Sequence, residues 1–234
     1  MVGRRAPALT LAVAFLLAGC SAWESRRLPA DRLAPLLYVA LGDSTVEGVG
    51  ATGAARTYVA ALHARLRERY PAARVANLGV AGATSADVLS AQVPRAVELR
   101  PHLVTLSVGP NDITSRVPVH QFARNLDAIL AALRETRAVL VVNLLPDLAV
   151  TPRFRLGPER AVVGRLTVQF NDVVTRTGRE HRAEAVDLYG PSQSEVPGRP
   201  ELVAGDGYHP SDAGHARWAE LMWQGIARRL PRGG

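Results

Sequence analysis

The sequence predicts a three-layer α/β/α domain, flavodoxin-like, in which helices cover both faces of a parallel five-stranded sheet. Three observations carry this expectation. Five short runs are apolar at consecutive positions rather than at alternate ones, as strands buried on both faces require. Stretches with helical spacing separate them. Each strand-to-strand step has about the length of a right-handed crossover. A chain of 234 residues, 47% apolar and 21% charged, suits one globular domain with a full core.

In chain order, the first strand is LLYVALG (36–42), an unbroken apolar run closed by Gly42. A helical pattern covers about 55–70, and RVANLG (74–79) is the second strand. A helix over 84–99 leads to HLVTLSVG (102–109), the third strand. The helix over 118–136 places Phe122, Leu126, Ile129, Leu130 and Leu133 on one face. AVLVVNLL (138–145) is the fourth strand, and residues 146–160 (PDLAVTPRFRLGPER) form a long polar loop. Within that loop Arg153, Phe154 and Arg155 are open to two readings, substrate contact or plain connector. A helix over 158–181 precedes AEAVDLY (183–189), the fifth strand. The last helix, 211–229, carries Trp218, Leu221, Met222 and Ile226 at helical spacing, which is core packing rather than a cofactor motif. No internal repeat is evident.

The formal charge is +7, but the arginines are spread over helix faces and no basic run is interleaved with aromatics. Nucleic acid is therefore not an expected partner. The sole cysteine, Cys20, permits no intramolecular disulfide and no cysteine-based metal site. It closes a segment with the anatomy of a secretory signal. Arg4 and Arg5 precede the apolar run Ala6–Ala18, which is too short to cross a bilayer as a stable helix. Leu17-Ala18-Gly19-Cys20 resembles the lipobox of bacterial lipoproteins. That resemblance implies cleavage before Cys20, lipidation of its thiol, and residence on the outer side of the cytoplasmic membrane. An ordinary cleaved signal or an uncleaved anchor is the competing reading. Residues 20–35, with two prolines, are read as lipidated cysteine and tether, and 36–234 as the domain.

Four short segments far apart in the chain carry the candidate chemistry: Gly42-Asp43-Ser44, Gly82 in NLGVAGATS, Asn111 in GPND, and Asp206-Gly-Tyr-His209. Ser44 follows the first strand, Gly82 the second, Asn111 the third, and Asp206 and His209 the fifth. In an open α/β sheet these positions share one rim, beyond the C-terminal strand ends where ligands bind. A serine hydroxyl needs a base to take its proton and donors to stabilise the oxyanion that follows. Ser44 is the candidate nucleophile, His209 the base, and Asp206 its orienting carboxylate. The N–H groups of Ser44 and Gly82 and the Asn111 amide are the candidate oxyanion donors. Asp43 is expected to bond its own turn, and Asp112 to brace the Asn111 loop. His63, His102, His120, His181 and His215 lack partner spacing and are read as surface or packing residues. No third ligand accompanies Asp206 and His209, so no metal is expected.

The pattern departs from the G-x-S-x-G nucleophile elbow, because Thr45-Val46 follows the serine. As a set it resembles the GDSL, or SGNH, hydrolase family, named for Ser, Gly, Asn and His in four blocks. Ser44, Gly82, Asn111 and Asp206-x-x-His209 match those blocks in order, with Gly79 the less favoured second-block glycine. The fourth letter of GDSL is Thr45 here. The resemblance spans residues 37 to about 229. It implies a serine esterase or lipase-like acyl hydrolase that works without a metal on an ester or related acyl bond; a small-molecule, lipid or sugar ester is the expected substrate, no cofactor is expected, and the chain is expected to be a monomer. An acyltransferase or carbohydrate acetyl esterase with the same site, and a non-catalytic envelope-binding lipoprotein, are the alternatives.

Overall fold

In the computed structural model, residues 26–231 are described; the signal segment and Cys20 lie outside them. Five parallel strands, β1 (Leu37–Gly42), β2 (Arg74–Asn77), β3 (Leu103–Ser107), β4 (Val139–Asn143) and β5 (Glu184–Val186), form one sheet in the order β2-β1-β3-β4-β5. The flavodoxin-like expectation is met. The helices are α1 (Ser44–Glu47), α2 (Tyr58–Arg69), α3 (Ser85–Asp87), α4 (Val93–Leu99), α5 (Pro110–Thr114), α6 (Val119–Glu135), α7 (Arg160–Glu180), α8 (Tyr189–Glu195) and α9 (Asp212–Arg228).

Successive strand side chains point to opposite faces, and both faces are apolar. Val39, Leu41, Val104, Leu106, Leu140 and Val142 join the core under α4, α6 and α7. Tyr38, Ala40, Leu103, Val139 and Val141 join the core under α2 and α9. Consecutive apolar positions in β1, β3 and β4 follow from this double covering. Each fully buried Leu, Val or Phe contributes about 1.5–3 kcal/mol relative to exposure. The edge strands β2 and β5 are only partly covered, which is why their apolar signal is weaker. The run over 183–189 shortens to Glu184–Val186, and Tyr189 instead opens α8.

Three further expectations change on folding. The helix over 84–99 is not regular: a π-type turn, Val88–Gln92, separates α3 from α4. Pro94 has no N–H with which to continue the α-helical ladder, and the wider turn absorbs the lost bond. The turn also aims Gln92 at the end of β1. The helix over 55–70 begins at Tyr58, where Thr57 caps it by accepting from the Ala60 N–H. The loop over 146–160 is packed rather than free. Asp147 caps a short 3-10 turn over Leu148–Val150, and Leu148, Thr151 and Phe154 are buried.

Residues 26–35, within the segment read as a tether, also pack on the domain. Leu28 is buried, its N–H donates to Arg229 O (2.8 Å), and the Tyr70 hydroxyl donates to Pro29 O (2.8 Å).

Gly42 ends β1 with φ +145°, and a Cβ there would sit 1.9 Å from Ser107 O. Only glycine lets β1 turn this sharply against β3 and deliver Asp43 and Ser44 to the rim.

Candidate active site

Asp43 caps α1, accepting from the Thr45 N–H at 3.0 Å, and Ser44 is the first residue of that helix. The chain's last quarter supplies its partner. Ser44 Oγ lies 2.8 Å from His209 Nε2, and His209 Nδ1 lies 2.5 Å from Asp206 Oδ2. A carboxylate can only accept, so Nδ1 carries the proton and Nε2 is left to accept from Ser44. The three-residue spacing works because Asp206 folds its own turn. Its Oδ1 accepts from the N–H groups of Tyr208 (2.9 Å) and His209 (3.0 Å). Burial alone would raise the Asp206 pKa, but the bonds from His209 and the two backbone N–H groups hold the carboxyl below its ordinary value.

Gly82 and Asn111 border the same pocket, about 240 Å³, with Ser44, His209, Arg153 and Tyr208. Gly82 has φ +81°, and the space where a Cβ would stand is open. Gly79 has a different part: a Cβ there would meet the Glu47 N atom at 2.6 Å, so it is a close-packing glycine under α1. The Asn111 amide donates one hydrogen to Ala83 O at 3.0 Å. That bond orients the group, and its other N–H has no partner among the described residues. The backbone N–H groups of Ser44 and Gly82 are likewise unbonded among the described residues. Three residues with an uncommitted donor therefore line the pocket that holds the serine.

A buried polar layer holds these loops in register. Gln92 bonds both backbone groups of Gly42, accepting from its N–H and donating to its carbonyl at 2.8 Å each. Asp112 accepts from the Ser85 N–H (2.9 Å) and hydroxyl (2.5 Å), and Asn125 donates to the same hydroxyl (2.9 Å). Asp112 thus ties the Asn111 helix to the one that follows Gly82. Nearer the surface, the exposed Glu47 accepts from the Ala81 N–H, and the exposed Asn77 donates to Val46 O. Of these only Asp112 stood out in the sequence. The others are single polar residues in helices or strands, and no local pattern marks them.

Burial raises the Asp112 pKa, with the Ser85 bonds opposing it. Asp43 is pushed to about 7, chiefly by burial, with the Thr45 N–H opposing and the Asp112 charge adding to the rise.

Of the histidines read as surface or packing residues, His215 is fully buried. Nδ1 accepts from the Tyr58 N–H (3.3 Å) and Nε2 donates to Val49 O (3.1 Å), bracing the segment after α1. His63, His102 and His181 bond Ala73 O, the Leu37 N–H and Asp127 respectively. Neither these nor His120 lines the pocket. Among the described residues, no three His, Cys, Asp or Glu side chains converge as a metal ligand set. Arg153, left open in sequence, does line the pocket, whereas Phe154 is buried beneath Tyr208.

Comparison with known proteins gives a consistent result. Residues 40–217 match the model of the GDSL-like lipase/acylhydrolase family. The chain is 27% identical over 210 residues to the esterase TesA of Pseudomonas aeruginosa, covering 90% of this chain and 96% of that protein. It superposes on a crystal structure of TesA with TM-score 0.68 and 25% identity, covering 83% of this chain and 99% of the other. The fold is also that of Axe2, an acetylxylan esterase from Geobacillus stearothermophilus, with TM-score 0.69, 21% identity, and 87% and 100% coverage.

The raised Asp43 pKa sets a pH signature. The folded state keeps a proton that the unfolded chain releases between about pH 4 and about 7, so this group lowers stability as pH rises through that window. Asp43→Asn keeps an acceptor for the Thr45 N–H but cannot ionise. Denaturant melts across this range should show the variant gaining on the parent as pH rises. A constant difference between the two would mean that Asp43 titrates normally.

Proposed function

Because the chain belongs to the GDSL-like lipase/acylhydrolase family and is an ester-hydrolysing enzyme, we propose that it cleaves its substrate through an acyl-enzyme on Ser44. The observation that carries this is the bonded series Ser44–His209–Asp206, at 2.8 and 2.5 Å, beside three free donors. Ser44 Oγ attacks the acyl carbon as His209 Nε2 takes its proton. Negative charge moves to the former carbonyl oxygen, where the N–H groups of Ser44 and Gly82 and the Asn111 amide stabilise it. Collapse breaks the bond to the leaving alcohol, which receives the proton from His209. Water then attacks the Ser44 ester while His209 again takes the proton. A second collapse releases the acid and returns the proton to Ser44. Asp206 stays ionised, holds the tautomer and stabilises the imidazolium. Asn111 contributes a dipole rather than a charge, so its donation does not titrate.

A second proposal concerns location. The arrangement of Arg4, Arg5, the apolar run and Cys20 supports cleavage before Cys20, lipidation of its thiol, and anchoring on the outer side of the cytoplasmic membrane.

Ser44→Ala should lower kcat on short p-nitrophenyl esters by about 10⁴-fold or more; turnover close to that of the parent would remove Ser44 from the reaction. Asn111→Ala should lower kcat by about 10²–10³-fold, whereas a change confined to KM would make it a binding residue. Cys20→Ser should move the protein from the membrane to the soluble fraction of the producing cell. Continued membrane retention would favour an uncleaved apolar anchor.

A further inference from the structure

One charged side chain of the catalytic pocket has no part in the acyl transfer described above. Arg153 is exposed and lines the pocket beside Ser44, Asn111 and His209. Its guanidinium makes no ion pair or hydrogen bond among the described residues. It is nonetheless held in place. Its backbone N–H donates to Gly207 O at 3.0 Å, inside the Asp206–His209 turn. Its guanidinium carbon stands 5.2 Å from the centre of the Tyr208 ring and 5.6 Å from that of Phe154. Those rings meet edge to face at 5.9 Å, and Tyr208 meets the His209 imidazole the same way at 5.0 Å.

The series Arg153–Tyr208–His209 places a permanent positive charge on the histidine side of the pocket. In the reaction proposed above, His209 hands its proton to the departing alcohol, so this is the side on which the leaving group lies. A guanidinium presents paired N–H donors in a plane that matches a carboxylate or phosphate. Stacking on Tyr208 restricts its rotamers in advance, so less conformational entropy is lost when an anion binds. We propose that Arg153 selects esters whose leaving alcohol carries an anionic oxygen group, which the guanidinium holds while Ser44 attacks the acyl carbon. This rests on the acyl-enzyme reading and adds a substrate class to it.

The test compares kcat/KM for 4-acetoxybenzoate and 4-acetoxybenzamide, which share an acyl group and differ in the charge of the leaving phenol. The full chain should favour the anion by roughly fivefold, mainly through KM, and added NaCl should shrink that preference. Arg153→Gln should bring the ratio near one and remove its salt dependence, while Arg153→Lys should retain part of both. A merely structural arginine would lower both rates together and leave the ratio unmoved; that result overturns the proposal. So does a ratio that changes only for an acyl-side pair, p-nitrophenyl adipate monoester against p-nitrophenyl hexanoate. Should Ser44→Ala still turn over the neutral ester, the acyl-enzyme reading falls and this proposal with it. Loss of the charge preference alone leaves that reading standing.

Discussion

The contact between Ser44 and His209 spans 165 positions, and most of the architecture serves to close it. Ser44 leaves the end of β1, near the middle of the sheet, whereas His209 comes between β5 at the far edge and α9. What brings them together is the return path of α9. This helix packs with α2 on one face of the sheet, so its N-terminus lies beside the segment that follows Ser44. Two cross-links fasten it there. His215 bonds the Tyr58 N–H and Val49 O, and Asp212 accepts from both the N–H and the hydroxyl of Thr52. Burial of His215 lowers its pKa, with its bond to Val49 opposing. A neutral ring can make both of these contacts at once.

The rim is built on a buried polar layer, and its energetics differ from those of the apolar layers. Asp43, Ser85, Gln92, Asp112 and Asn125 are all buried, and each is hydrogen-bonded. Taking such groups from water costs about as much as their bonds return, so they add little net stability. Their effect is on position. A loop held by Gln92 or Asp112 has one low-energy register, because any other leaves a buried polar group unpaired. The proposed oxyanion donors thus sit on loops whose alternatives are costly, and such preorganisation is what transition-state stabilisation requires.

Arg153, which belongs to none of the four motif segments, borders the pocket beside Tyr208 and His209. Tyr208 meets the His209 ring edge to face, and Phe154 and the Arg153 guanidinium lie against Tyr208. From the 146–160 segment, Arg153 thus reaches the candidate pocket, with Phe154 packed behind it.

Local patterns in the sequence were enough for the sheet, the position of its central strands to within two residues, and the four motif segments. Their signals are short-range: consecutive apolar residues in β1, β3 and β4, a strand-ending Gly42, and an Asp206 turn that closes within three residues. The rest lay beyond local pattern because its partners are distant in the chain. Gln92 bonds Gly42 across 50 positions, and Asn111 bonds Ala83 across 28. Arg153 borders the candidate pocket where its backbone meets Gly207, 54 positions away in the chain. The motif favoured Gly82 over Gly79 without a packing reason; in the fold α1 fills the space beside Gly79, and the space beside Gly82 is clear. A side chain's identity shows what it is able to bond; which partner it meets depends on where other segments cross, and that is settled by how the layers pack.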